Sequence, residues 1–260
     1  MTETIAGHLY DYPRYYDLVF GSDWKAEFDF LKACFQKHCR RTVRRVFEPA
    51  CGTGRLLVKF AEGGLEVSGN DLNPHAVEFC NRRLERKGFA RSVRLGDMSA
   101  FRLPRQVDAA FNMINSFRHL QTEEAAQAHL RCTAEALHKD GLYVLGLHLT
   151  PTRGPRSEEE RWSARRGHLA VLSRLWTMNL DRKQREELVG MTFDVHTPTR
   201  HFQLAEQLVF RTYTLKQFRE LLARVPQLEL VETYDFGYKI NQPIHVNSYS
   251  EDVVFVLRRT

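Results

Sequence analysis

Trp24, Phe28, Leu31 and Phe35 recur at helical spacing behind Ser22, which reads as the N-cap of a first long helix. The period then shortens: "VRRVFEPA" predicts a strand, and "RLLVKFAEGG" predicts a helix halted by Gly63 and Gly64. A second strand follows in "LEVSGNDL". Asn73 then caps a helix that has Pro74 at its first position and Val77, Cys80 and Leu84 on its apolar face. "SVRLGD" and "VDAAFNM" predict two further strands. Thr122 opens a helix through Leu130 to Leu137 that is expected to stop at Asp140-Gly141, ahead of the apolar strand "LYVLGLHL". Strands and helices alternating at these lengths predict parallel βαβ units with right-handed crossovers.

The pattern changes after residue 150. Residues 151–167 are charged, contain Pro and Gly and lack a period, which predicts a loop. Three strand-like runs follow over 168–213. In the middle one Val189, Met191, Phe193 and Val195 alternate with polar or small residues, as in a half-exposed antiparallel sheet, with "DRKQ" and "TPTR" as its turns. Thr214 and Gln217 form a capping box for a helix presenting Phe218, Leu221, Leu222 and Val225 on one face. "LELVETYDFG" and "DVVFVLRR" predict two closing strands joined by a loop at 238–251.

With 260 residues, 43% hydrophobic and 27% charged, the chain can bury a substantial core. No apolar run approaches the ~20 residues that span a bilayer, and the N-terminus lacks the pattern of a secretory signal. Five scattered cysteines without a C-x-x-C pair predict reduced thiols, a cytoplasmic location, and neither a disulfide framework nor a metal site. The net charge of +6 is spread over several short runs, the usual form of solvated faces. Charge therefore does not mark a nucleic-acid protein.

The candidate chemistry lies at "VFEPACGTGRLLVKF", residues 46–60, where a strand meets a small-residue turn and a helix N-terminus. Such a turn presents backbone donors to a polar ligand, and Gly52 and Gly54 are its close-approach positions. A dinucleotide fingerprint needs a third glycine where Leu57 stands. Glu48 at the strand end also suits a cationic or hydroxyl-bearing ligand better than a phosphate. Asp71 ends the second strand, where a carboxylate can accept both ribose hydroxyls, and Asp97 follows the third, where it can accept from an adenine amine. Three acids at the carboxyl ends of successive strands around one glycine turn describe a nucleoside site.

These residues resemble the class I S-adenosylmethionine-dependent methyltransferases. "FEPACGTGR", with Ala50 for a commoner Gly, resembles their first motif; "GNDLNP" and "LGDMSAF" are similar to the second and third. The resemblance implies a Rossmann-like α/β fold: a seven-stranded, mainly parallel sheet with an antiparallel C-terminal hairpin. It implies a single domain over 1–260, with a helical cap at 1–42, a cofactor-binding core at 43–150 and 214–260, and a three-stranded antiparallel insertion at 151–213 roofing the substrate pocket. It assigns Tyr16, Glu48, Ala50, Cys51, Gly52, Gly54, Asp71, Leu72, Asp97, Met98 and Met113 to S-adenosyl-L-methionine. "YDYPRYYDLVFG" and "NSFRHL" look like those of small-molecule N-methyltransferases acting on sugar amines, in which Tyr16 and His119 would line the site. The shortened "GSDW" stretch departs from that subgroup and argues against a nucleotide-sugar substrate.

The expected reaction is methyl transfer to nitrogen or oxygen of a small molecule, by a monomer or homodimer. His119 is the first candidate base because imidazole titrates near neutral pH; His148 and then His245 compete for the role. Tyr16 either lies over the sulfonium or, like its tyrosine neighbours, anchors an N-terminal helix. No Asn-Pro-Pro-Tyr-like stretch or nucleophilic Cys follows the fourth strand, so nucleic acid is not the expected acceptor. The rival readings are methylation of RNA or protein, and a non-catalytic cofactor-binding protein.

Overall fold

A computed structural model describes residues 3–260. The elements in order are β1 (Glu3–Ala6), α1 (Pro13–Phe20), α2 (Lys25–His38), β2 (Arg45–Pro49), α3 (Arg55–Glu62), β3 (Glu66–Asp71), α4 (Pro74–Glu85), β4 (Val93–Leu95), β5 (Val107–Asn112), α5 (Glu123–Ala136), β6 (Leu137–His148), β7 (Glu159–Arg166), β8 (Leu169–Asp181), β9 (Glu186–His196), β10 (His201–Arg211), α6 (Leu215–Ala223), β11 (Leu228–Tyr234) and β12 (Asp252–Arg259).

Seven strands form the main sheet in the order β11-β12-β6-β5-β2-β3-β4. Only β12 runs against the rest, inserted antiparallel between β6 and β11. The strands are apolar on both faces because both are covered. Val46, Phe111, Val144 and Val256 meet α2, α3 and α4 on one side, while Phe47, Ala110, Tyr143 and Phe255 meet α5 and α6 on the other. Asn73 accepts from the backbone of His75 and Ala76, and Thr122 from Ala125, so both sequence-read caps form. The Thr214–Gln217 capping box is also present.

Three local expectations need correction. Ser22 does not cap α2: its hydroxyl donates to the Val19 carbonyl at 3.2 Å, closing the preceding helix, and Trp24 precedes α2 without a side-chain cap. Helix α5 ends at Ala136, not at Asp140-Gly141, because Leu137 already pairs with Val107 of β5. Asp140 and Gly141 instead form an irregularity within β6: Asp140 has φ +64°, and a Cβ on Gly141 would lie 2.8 Å from the Asp108 carbonyl oxygen.

The third correction enlarges the insertion. Residues 159–166 are strand β7, paired antiparallel with β8, and β1 joins β10 in parallel, so the second sheet has five strands in the order β1-β10-β9-β8-β7. β7 reads as a loop because it is a charged edge strand, "EERWSARR", with little to bury; charged side chains also keep such an edge from pairing further. The apolar face of this sheet, with Val171, Met191, Phe193, Val195 and Leu204, packs on Leu9, Leu18 and Val19 at and before α1.

Candidate active site

Two cavities meet where the second sheet faces the carboxyl ends of the main strands. The first, about 580 Å³, lies over the β2–α3 turn and the ends of β3 and β4. Its wall includes Tyr16, Ala50, Gly52, Thr53, Asp71, Leu72, Asn73, Met98 and His119. The turn is sharply left-handed, with φ +50° at Ala50, +52° at Gly52 and +65° at Gly54. A Cβ at Gly52 would meet nothing within 4 Å, so its backbone faces open space. At Gly54 a Cβ would lie 2.1 Å from Cys80 Sγ, so this glycine serves close packing of the turn on α4.

Asp71 ties the turn to the second strand. Its Oδ2 accepts from Gly52 N at 2.7 Å and its Oδ1 from Asn73 N at 2.9 Å. Burial raises its pKa above the usual carboxylate value, and those two N–H groups partly offset the rise. Each oxygen keeps a lone pair for a ligand hydroxyl. Met98 lines the cavity, fixed by His129, whose ring nitrogens contact the Met98 carbonyl at 2.9 Å and the Tyr143 hydroxyl at 2.7 Å.

The structure does not bring every expected side chain to this wall. Met113 is buried in the core, and its neighbour Ile114 lines the cavity instead. Cys51 is buried beside Cys80, leaving only its backbone in the turn. Glu48 is buried and its Oε2 has no hydrogen-bond partner among the described residues; burial pushes its pKa well up, against the pull of Arg55. Asp97 Oδ1 accepts from the backbone and hydroxyl of Ser99, and the flanking Gly96 and Met98 line the cavity while Asp97 does not.

The second cavity, about 360 Å³, opens under β7–β10. Tyr10, Tyr16, Ile114 and His119 line both cavities and form the wall between them. The Tyr10 hydroxyl lies 3.1 Å from His119 Nε2, and the Tyr16 ring packs against Tyr10, Phe20 and Phe193. Burial, helped by Arg118, lowers the His119 pKa to about 4, so the ring is neutral at physiological pH. Burial raises Tyr16 to about 12. The sequence expectation that His119 titrates near neutrality is thus overturned by desolvation.

His148, at the end of β6, lines the second cavity and pairs through Nδ1 with Asp252. The charge of this cavity was not legible in the sequence. Asp23, Glu27, Glu158, Glu159, Glu160, Glu187, Glu251 and Asp252 line it, against Arg118 and Arg156. Both arginines are taken up by Glu187, at 2.5 Å each, and Glu27 pairs with Arg55. Burial raises the pKa of Glu160 and of Glu251. His245 lines neither cavity.

A family model described as a methyltransferase domain matches residues 46–141, which contain the turn, Asp71 and Met98. Over residues 46–141 the chain carries a methyltransferase domain. The fold matches solved structures along nearly the whole length of the chain. An S-adenosylmethionine-dependent methyltransferase from Clostridium acetobutylicum ATCC 824 is 15% identical and superposes with a TM-score of 0.77 over 95% of this chain and 97% of that one. The sugar N-methyltransferase KedS8 from Streptoalloteichus sp ATCC 53650 is 19% identical, with a TM-score of 0.74 over 97% and 93%. CalS10, an amino pentose methyltransferase from Micromonospora echinaspora solved with S-adenosylmethionine bound, is 18% identical, with a TM-score of 0.70 over the whole of both chains.

The residues present fit that cofactor. Open space above Gly52, a buried carboxylate with lone pairs to spare and a buried thioether at Met98 supply the contacts that a nucleoside with an aliphatic tail requires.

Proposed function

We propose that this methyltransferase transfers a methyl group from S-adenosylmethionine to the amine nitrogen of a small molecule bound under the second sheet. The observation that supports this reading is the wall of Tyr10, Tyr16, Ile114 and His119 common to both cavities. A donor on one side and an acceptor on the other meet only there, and alignment supplies much of the rate of an in-line transfer. The bound cofactor supplies an electrophilic methyl group on a sulfonium.

In this reading Gly52, Asp71 and Met98 hold the cofactor, and Tyr16 presents its ring where a cation would lie. Strands β7–β10 roof the acceptor cavity. Acidic lining favours a nitrogen acceptor over oxygen: among the described residues Asp23, Glu158, Glu160 and Glu251 form no salt bridge with a lysine or arginine, while Arg118 and Arg156 are held by Glu187, so the cavity attracts an ammonium and opposes a diphosphate. An ammonium must lose a proton before it can attack. His148 is the better placed proton acceptor: Asp252 engages Nδ1, which leaves Nε2 to take the proton. His119, with its pKa near 4, is a weaker base and serves to hold Tyr10 and the dividing wall. The sugar N-methyltransferase and the amino pentose methyltransferase named above carry the same fold, which agrees with an amine acceptor.

A panel of primary and secondary amines beside matched alcohols, read by S-adenosylhomocysteine release, tests the proposal. Turnover of amines alone, lost in His148→Gln with cofactor binding intact, is expected. Turnover of alcohols or nucleotide sugars with the amines inert would overturn it.

A further inference from the structure

On the face of the second sheet away from the acceptor cavity, the hairpin "DVHTPTRH" gathers Asp194, His196 and His201. One ligand atom from each lies within 4.8 Å of the others. Their convergence follows from strand geometry. Asp194 and His196 are two residues apart on β9 and so share a face, and His201 on β10 is the direct cross-strand partner of His196. His201 Nε2 lies 2.8 Å from Asp194 Oδ1, and the two imidazole rings stack with centroids 4.0 Å apart. The turn that joins the strands is closed by Thr197: its N–H donates to the Arg200 carbonyl at 2.9 Å, and its hydroxyl accepts from Arg200 N at 2.9 Å.

We propose that these three side chains form a binding site for a divalent transition ion of the zinc type. Two imidazoles and one carboxylate are a borderline donor set suited to Zn²⁺, Co²⁺ or Ni²⁺ and not to Mg²⁺ or Ca²⁺, which prefer oxygen alone. Three protein ligands leave at least one position to water. The residues alternating with them on β9, Phe193 and Val195, are buried against α1, and the same face of β9 carries Val189 and Met191 in the wall of the acceptor cavity. An ion held here would tie β9 to β10 at their turn and stiffen that roof from outside. The site takes no part in methyl transfer.

The test is calorimetric titration of the chelator-stripped, full-length protein with ZnCl₂, paired with thermal melts and with CoCl₂ absorption spectra. One zinc per chain, a melting temperature that rises with zinc concentration and the visible bands of a tetrahedral cobalt site are expected. His201→Ala and Asp194→Asn should weaken zinc binding by more than about tenfold, since even outer-shell partners of a metal contribute on the order of 10- to 100-fold. Both variants should retain the melting temperature of the metal-free protein and its S-adenosylmethionine affinity. His196→Gln supplies a third variant should either of these fold poorly. Absence of zinc binding at millimolar concentration would overturn the proposal, as would zinc binding of equal strength in all three variants.

Discussion

Gly54→Ala is expected to destabilise the protein through Cys80. Gly54 holds φ +65° at the start of α3, and its missing Cβ would lie 2.1 Å from Cys80 Sγ. Two costs act together. The left-handed backbone costs a non-glycine residue roughly 1–2 kcal/mol, and forcing a methyl group into packed surroundings costs roughly 1–3 kcal/mol more. The single variant should therefore lose about 2–5 kcal/mol. In a Cys80→Ala background the nearest remaining atom is the Cβ of residue 80, at 3.4 Å, an ordinary contact. The steric part then vanishes and the backbone part stays. Cys80→Ala alone should cost about 1 kcal/mol for one buried group of methylene size. Urea unfolding of the four proteins gives the coupling, expected at about 1–3 kcal/mol in favour of the double variant. Additivity to within about 0.5 kcal/mol would refute the packing argument and with it the close seating of the turn on α4.

Asp71→Asn should weaken S-adenosylmethionine binding by roughly 10- to 100-fold, the worth of a hydrogen bond to a charged group, in calorimetry; unchanged affinity would remove Asp71 from the ribose role. Glu187→Ala leaves Arg118 and Arg156 without their buried counter-charge and should cost about 3–5 kcal/mol in denaturant unfolding; a loss below about 1 kcal/mol would mean that water reaches both arginines. The buried rings of His119 and His129 both have pKa values lowered by burial to about 4. Their neutral forms stabilise the fold above the unfolded value near 6.5, and that stability is lost as pH falls towards 4. Thermal melts across pH 7 to 4 should show this decline, and His129→Gln should flatten part of it; a flat wild-type profile would contradict the burial of both rings.

Much of this was legible because strand, turn and cap chemistry is local. Leu57, Gly54 and Asn73 lie close along the chain, so the β2–α3 turn and the start of α4 could be read directly. What failed was long-range. The charged edge strand β7 has almost no apolar face of its own, and the pairing of β1 with β10 joins residues nearly 200 positions apart. Met113 shows the limit of motif transfer: the chain bends at the end of β5 and Ile114 takes the wall position. The acidity of the second cavity arises from Asp23 and Glu27 at the start of α2, from residues 158–160 at the start of β7, from Glu187 of β9 and from Glu251 and Asp252 at the start of β12, and no single stretch carries it. His119 was found by its place after the fourth strand, but its ionisation depends on burial beneath Phe210 and Tyr10, which sequence does not display.

Methyl transfer in this fold requires S-adenosylmethionine to bind in the cavity over Gly52 and Asp71. Calorimetric titration of the folded protein with S-adenosylmethionine tests this most directly, with Asp71→Asn as the matched control. One molecule bound per chain, displaced by S-adenosylhomocysteine and weakened by the substitution, is the predicted result. A folded protein that binds neither compound would contradict the assignment.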